Sequence, residues 1–281
     1  MASDQRQTAG ENNKKGNRFE DCFAVCRCLK VSRDAIESGV EVSLTEQAGC
    51  PVDDLLIRRG EERHYYQLKD DLKITWGESN SKLEREFVQQ LAECEARAEN
   101  FGLHLIVSHD HRQRSLSKHI PVSLSGKVSI GVFPALDRPS NLARLAELRP
   151  HLAWLSASRN PGMELLMALV EGMYIAWIER CINEGGSSDL KKMIEWLWDR
   201  PAHRLRRTVP EGIHPRWSEV ERVLATIPGL EWFTDRGFFE WVCGRDSGLV
   251  PSPLNDPGFL RLVERICAAT PQVFEDFEVL L

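Results

Sequence analysis

Residues Val52–Lys69 read VDDLLIRRGEERHYYQLK. Two β-rich runs, Leu55-Leu56-Ile57 and His64-Tyr65-Tyr66, flank the polar segment Arg59-Gly60-Glu61-Glu62. That pattern predicts a hairpin turning on a glycine. Pairing across Gly60-Glu61 sets Arg59 opposite Glu62, Ile57 opposite His64 and Asp54 opposite Gln67. Alternate side chains of a strand share a face, so Gln67 and Lys69 project together. The open end of the hairpin then gathers a carboxylate, a carboxamide and an ammonium. An acidic oxygen, an amide oxygen and nearby backbone carbonyls suit a hard divalent cation such as Mg²⁺. A lysine beside that cation can orient or deprotonate water and neutralise a phosphorane-like transition state. These are the parts that metal-assisted phosphodiester hydrolysis requires. The register favours Asp54 over Asp53 as the ligand, and a one-residue bulge would exchange them.

Upstream, residues 1–15 read as a polar tail. A helix is predicted from about Gly16–Arg18, with Phe19, Phe23 and Cys26 at helical spacing. Val40-Glu41-Val42-Ser43-Leu44 alternates as a strand. Downstream, Ser81-Lys82-Leu83-Glu84 has capping-box spacing. The helix it opens should run to about Asn100 with Leu83, Phe87, Leu91 and Cys94 on one face. Leu103–Val107 then reads as a buried strand, residues 109–119 as a basic, histidine-rich loop, and Val128–Phe133 as a short strand. Beyond Pro139 the pattern predicts helices only, at 140–156, 162–183, 189–199, 217–226, 235–244 and 257–269. The expected layout is an α/β domain over 1–135 followed by an all-α domain over 136–281.

The conjunction of Val52-Asp53-Asp54-Leu55-Leu56-Ile57, Tyr66-Gln67-Leu68-Lys69 and Gly16-Asn17-Arg18-Phe19-Glu20 resembles the PD-(D/E)XK nuclease superfamily. It looks most like the branch whose motif glutamate is replaced by glutamine. The resemblance covers about residues 14–135. It implies a restriction-endonuclease-like core, a mixed four-stranded sheet flanked by helices, with a helix following the motif lysine. It further implies that Asp54 is the principal ligand of Mg²⁺ or Mn²⁺, Gln67 and the Leu68 carbonyl further ligands, and Lys69 the catalytic lysine. Glu20 would bind a second metal or water from the first helix, with Glu41 as its alternative. The nearest likeness is to double-stranded-DNA endonuclease domains of bacterial antiphage effectors, in cyclic-oligonucleotide signalling and Lamassu-type systems. Such a nuclease must stay silent until triggered. The helical half is therefore expected to dock an ATPase or helicase, an SMC-like or sensor subunit, or another copy.

Composition sets limits on this reading. With 281 residues, 42% hydrophobic and 28% charged, the chain is long enough for a sizeable core. Its net charge of −6 argues against coating nucleic acid by bulk charge. No apolar run suits a bilayer span and no export signal opens the chain, so a cytoplasmic protein with reduced cysteines and no membrane partner is expected. Cys22, Cys26 and Cys28 read as small core side chains rather than zinc ligands. Local phosphate contacts are expected from Arg112, Arg114 and Lys118 in the basic loop. His104, His109 and His111 match no tight metal spacing. In the second half, His203-Arg204-Leu205-Arg206-Arg207 is the densest basic run.

Overall fold

The hairpin forms in the register that its pattern requires. In the computed structural model, which describes residues 2–71, 73–77, 82–183, 187–200 and 205–281, β2 (Leu55–Arg59) pairs antiparallel with β3 (Glu62–Lys69). Ile57 sits opposite His64 and Arg59 opposite Glu62. Gly60 closes the turn at φ +57°, a region that other residues enter only with strain. Outward from the hairpin, β1 (Val42–Glu46) adds antiparallel to β2. On the other side β4 (Asn100–Val107) and β5 (Val128–Val132) run parallel to β3. A parallel neighbour needs a crossover, and α2 (Lys82–Ala96) supplies it. The six-stranded sheet has the order β5-β4-β3-β2-β1-β6, with β6 (Ser187–Asp189) antiparallel to β1.

Helices cover both faces of this mixed sheet. On one, α2 buries Leu83, Phe87, Leu91 and Cys94, the expected stripe, together with Tyr65, Leu103 and Leu105 of the strands. Burial of a side chain such as Phe87 contributes roughly 2–3 kcal/mol. On the other face α1 (Ala2–Glu37) lays Phe23 against Tyr66 and Phe133, at ring-centroid distances of 5.2 and 5.3 Å. Cys22, Cys26 and Cys28 are buried here as core side chains. Helical backbone begins at Ala2, not near Gly16, so the expected polar tail is helical.

Three further expectations change. Residues 109–119 are not an open loop: α3 (Asp110–Lys118) packs Leu116 into the core beside α2. Residues 235–244 form a strand rather than a helix, and the chain after 136 is not all-α. β7 (Leu230–Phe233), β8 (Phe238–Cys243) and β9 (Asp246–Pro253) make a three-stranded antiparallel sheet. Gly237 and Gly244 bracket β8 at φ +75° and +61°, turning the chain at both ends of the run FFEWVC. The division also falls elsewhere than 135. One compact unit comprises Met1–His151 with Val170–Leu197, the other Leu152–Leu169 with Trp198–Leu281.

The first unit thus includes α4 (Arg149–Leu155) up to His151, α5 (Met163–Asn183) from Val170, β6, and α6 (Leu190–Trp198) up to Leu197. In the second, α7 (Trp217–Leu224) and α8 (Pro257–Ala269) pack on the β7-β8-β9 sheet. Val220, Phe239, Phe259, Val263 and Phe277, the last from α9 (Phe274–Glu278), are its interior. Arg236 donates to the carbonyls of Ala153, Ser156 and Ser158 at 2.6, 2.9 and 3.0 Å, tying the separate 152–169 segment into this unit. Ser81, His203 and Arg204, singled out from sequence, lie outside the described residues. No described helix is long and apolar enough to cross a membrane.

Candidate active site at the open end of the hairpin

Asp54 stands one residue before β2, where the hairpin register carries it across from Gln67 on β3. Its Oδ2 collects three donors. The Gln67 Nε2 amide donates to it, the Leu68 backbone N–H donates at 2.7 Å, and Lys69 Nζ lies at 3.3 Å. Charge-assisted bonds of this kind are about twice as strong as neutral ones, so the group is held firmly. The Asp54 side chain is 16% exposed and that of Lys69 36%, which leaves the ammonium reachable from solvent. Asp53 makes none of these contacts: its carbonyl accepts from Ala48 N–H at 3.1 Å. Of the two aspartates, it is Asp54 that the fold brings to Gln67 and Lys69. Behind them Gln90, fully buried on α2, accepts from the Val52 N–H at 3.3 Å and anchors the backbone leading into Asp54.

Gln67 is 3% exposed, and its Oε1 is buried without a hydrogen-bond partner among the described residues. An unsatisfied buried carbonyl oxygen costs about 1–3 kcal/mol, and such groups in native folds call for an explanation. The amide cannot be turned to satisfy it, because that would place Oε1 against the Asp54 carboxylate. With Nε2 committed to Asp54, the oxygen keeps a lone pair available, as a hard cation requires.

Glu20 on α1 completes the electrostatic picture without touching the others. It makes no hydrogen bond or ion pair among the described residues. Burial, and then the charge of Asp54, push its carboxyl up to about 7, against the opposing pull of Lys69. Glu46, at the end of β1, also contributes to that rise. Its own carboxyl is raised by burial and by Asp21. Glu46 was not singled out from sequence, although a signal exists. It occupies the inward phase of Val42-x-Leu44-x-Glu46, where an apolar residue would continue the pattern. Glu41, the alternative to Glu20, is exposed, and its carbonyl instead accepts from Gly60 N–H at 2.9 Å.

A metal fits this donor set in kind: an acidic oxygen on Asp54, a spare amide oxygen on Gln67, and carboxyls on Glu20 and Glu46 in an acidic, partly buried field. Among the described residues no three histidine, cysteine, aspartate or glutamate side chains converge as a metal cage, so the amide oxygen and main chain would have to contribute. What the structure gives Leu68 at this point is its N–H, bonded to Asp54. Arg112, Arg114 and Lys118 all lie on α3. Arg114 and Lys118, four residues apart, are exposed on one face, while Arg112 is half-buried. Arg206 and Arg207 are engaged within their own unit. Arg206 stacks over Trp154 at 4.8 Å, and Arg207 donates to the Trp198 carbonyl. No protein-family model, curated protein or solved structure matches the chain, so the chemistry of this site is argued from its own residues.

Proposed function

We propose that the chain is a metal-dependent DNA endonuclease of PD-(D/E)XK type. The observation that carries the reading is Gln67: a buried amide whose nitrogen holds Asp54 and whose oxygen is left without a partner among the described residues. The order of elements supports it, with Glu20 on a helix, an antiparallel hairpin bearing Asp54 and Gln67-x-Lys69, then a helix and a parallel strand. Asp54 and the Gln67 oxygen would hold Mg²⁺ or Mn²⁺, with Glu20 near enough to share its charge. Bound there, the cation would supply Lewis acidity and a lowered water pKa. Lys69 contributes an exposed ammonium 3.3 Å from Asp54, placed to hold an attacking water and to offset charge developing on phosphorus. Arg114 and Lys118 would take backbone phosphates of duplex DNA. A role as an antiphage effector, triggered by an ATPase, helicase, SMC-like or sensor partner or by self-assembly, follows from the motif likeness and is part of the proposal.

One observation favours a second reading, a degraded nuclease fold that binds nucleic acid or serves assembly. Asp54 Oδ2 takes three donors from the chain itself, Gln67, the Leu68 N–H and the Lys69 ammonium. Nicking of supercoiled plasmid with Mg²⁺ or Mn²⁺ decides between them. The native chain should nick, and Lys69→Ala and Asp54→Asn should each lose about 100-fold or more in rate. Equal cutting by Lys69→Ala would show that the site is misplaced. DNA binding without cutting, under every metal and partner supplied, would establish the second reading.

A further inference from the structure

On the sheet face covered by α1 lies an open cleft of about 270 Å³, distinct from the end of the hairpin where Asp54 sits. α1 lends it Arg27 and Lys30, β3 lends His64, and β4 lends His104. The two imidazoles are fixed by a chain of hydrogen bonds across three strands. Glu62 Oε1 lies 3.0 Å from His64 Nε2, His64 Nδ1 2.9 Å from His104 Nε2, and His104 Nδ1 2.6 Å from Ser129 Oγ. A carboxylate only accepts, so His64 Nε2 carries a proton. Burial, His64 and Arg27 hold the His104 imidazole down to about 4, which keeps that ring neutral at neutral pH. Gly102 makes the pair possible: a Cβ there would come within 2.7 Å of both His64 Nδ1 and His104 Nε2.

One cation of the cleft lacks a partner. Among the described residues Arg27 Nε is buried with no hydrogen-bond acceptor, and its guanidinium lies over the Tyr66 ring, 5.4 Å from the centroid. Lys30 is met by Glu147 at 2.9 Å, in a pair whose glutamate side chain is 60% exposed and solvent-screened. An anion entering here would give Arg27 the acceptor it lacks, in the bidentate geometry a guanidinium offers to phosphate. Ile106 and Phe133 add apolar lining to the cleft, beside the imidazoles of His64 and His104. The volume lies just under the ~300 Å³ at which ordinary ligand pockets begin, which suits one nucleotide and no more.

We propose that this cleft binds a single nucleotide unit, with its phosphate on Arg27 and Lys30 and its base against His64, His104 and the apolar lining. The inference rests on this cleft alone and stands or falls separately from the metal-site reading. Its test is calorimetric titration of the full chain with AMP, inorganic phosphate, adenosine and a 5′-phosphorylated DNA decamer. AMP should saturate, and phosphate or adenosine should each bind about tenfold or more weakly. Arg27→Gln should weaken AMP about tenfold. Because Arg27 is partly buried, Lys30→Met, whose head group is at the surface, serves as the second variant and should weaken AMP severalfold with an unchanged circular dichroism spectrum. The imidazole resonances of His64 and His104 should shift on saturation. Tighter binding of AMP than of the decamer would mark a free nucleotide as the source, and the reverse a strand end. The proposal is overturned if AMP does not saturate, if phosphate alone matches it, or if both variants bind AMP as the native chain does.

Discussion

A carboxyl buried beside another carboxylate holds its proton more tightly than one in water, and Glu20 does so up to about 7. Below about pH 4.5, its ordinary value, the group is protonated in folded and unfolded chains alike and costs nothing. Between that point and about 7 the unfolded chain releases its proton while the folded chain keeps it, so stability falls as pH rises and the loss is complete above 7. Glu20→Gln removes this titration. Its thermal midpoint relative to the native chain should therefore rise more at pH 8 than at pH 4, measured in EDTA. An equal difference at both pH values would mean that Glu20 is not raised. Added Mg²⁺ should shrink the advantage at pH 8, because a cation beside the carboxylate lowers the cost of its charge. At this scale the motif residues were readable from the hairpin register, since pairing across a tight turn is local and a one-residue slip would reverse every face. The free oxygen of Gln67 was not readable, because it depends on which end of the amide meets Asp54.

Elements are placed by contacts that span long stretches of chain, and these are less visible. α5 reaches α1 through Asp21, the neighbour of Glu20. Trp177 Nε1 donates to Asp21 Oδ1 at 3.0 Å and Tyr174 hydroxyl to Oδ2 at 3.4 Å. Burial raises the Asp21 carboxyl, and these two donors pull it back down. Trp177→Phe leaves that carboxylate short of a donor and should cost about 1–3 kcal/mol in urea unfolding. Tyr174→Phe, at the longer distance, should cost less. If Trp177→Phe is neutral, α5 does not hold α1 through this carboxylate. The sequence shows α5 clearly as an apolar helix, but nothing in it says that its polar partner lies 156 positions earlier. α2 was legible because four apolar residues recur at helical spacing. α3 was not, because Leu116 is its single buried residue and one contact makes no period. β8 reads as a helix in sequence because FFEWVC is apolar at both periods, and its pairing with β7 and β9 decides the matter.

At the scale of the whole chain, the net charge of −6 means that any grip on DNA is local, through a few cations such as those on α3. The composition could not reveal that the chain after 136 is shared between the two compact units. β6 pairs with β1, and Met173, Trp177, Leu190, Met193, Ile194 and Leu197 are each at most 1% exposed in the unit that also holds the hairpin. Each such side chain contributes about 1.5–3 kcal/mol by burial, against a total stability of about 5–15 kcal/mol for a typical domain. A fragment ending at residue 135, the boundary suggested by the change of pattern, forfeits all six and bares the surfaces of α1 and β1 that they cover. It should show no cooperative thermal transition by circular dichroism and should aggregate, whereas the full chain melts cooperatively. A cooperative melt for the fragment, with a midpoint near that of the full chain, would mean that β6 and the helices beside it decorate a sheet already complete without them. The position of Glu20 and Asp21 on α1 would then owe nothing to α5.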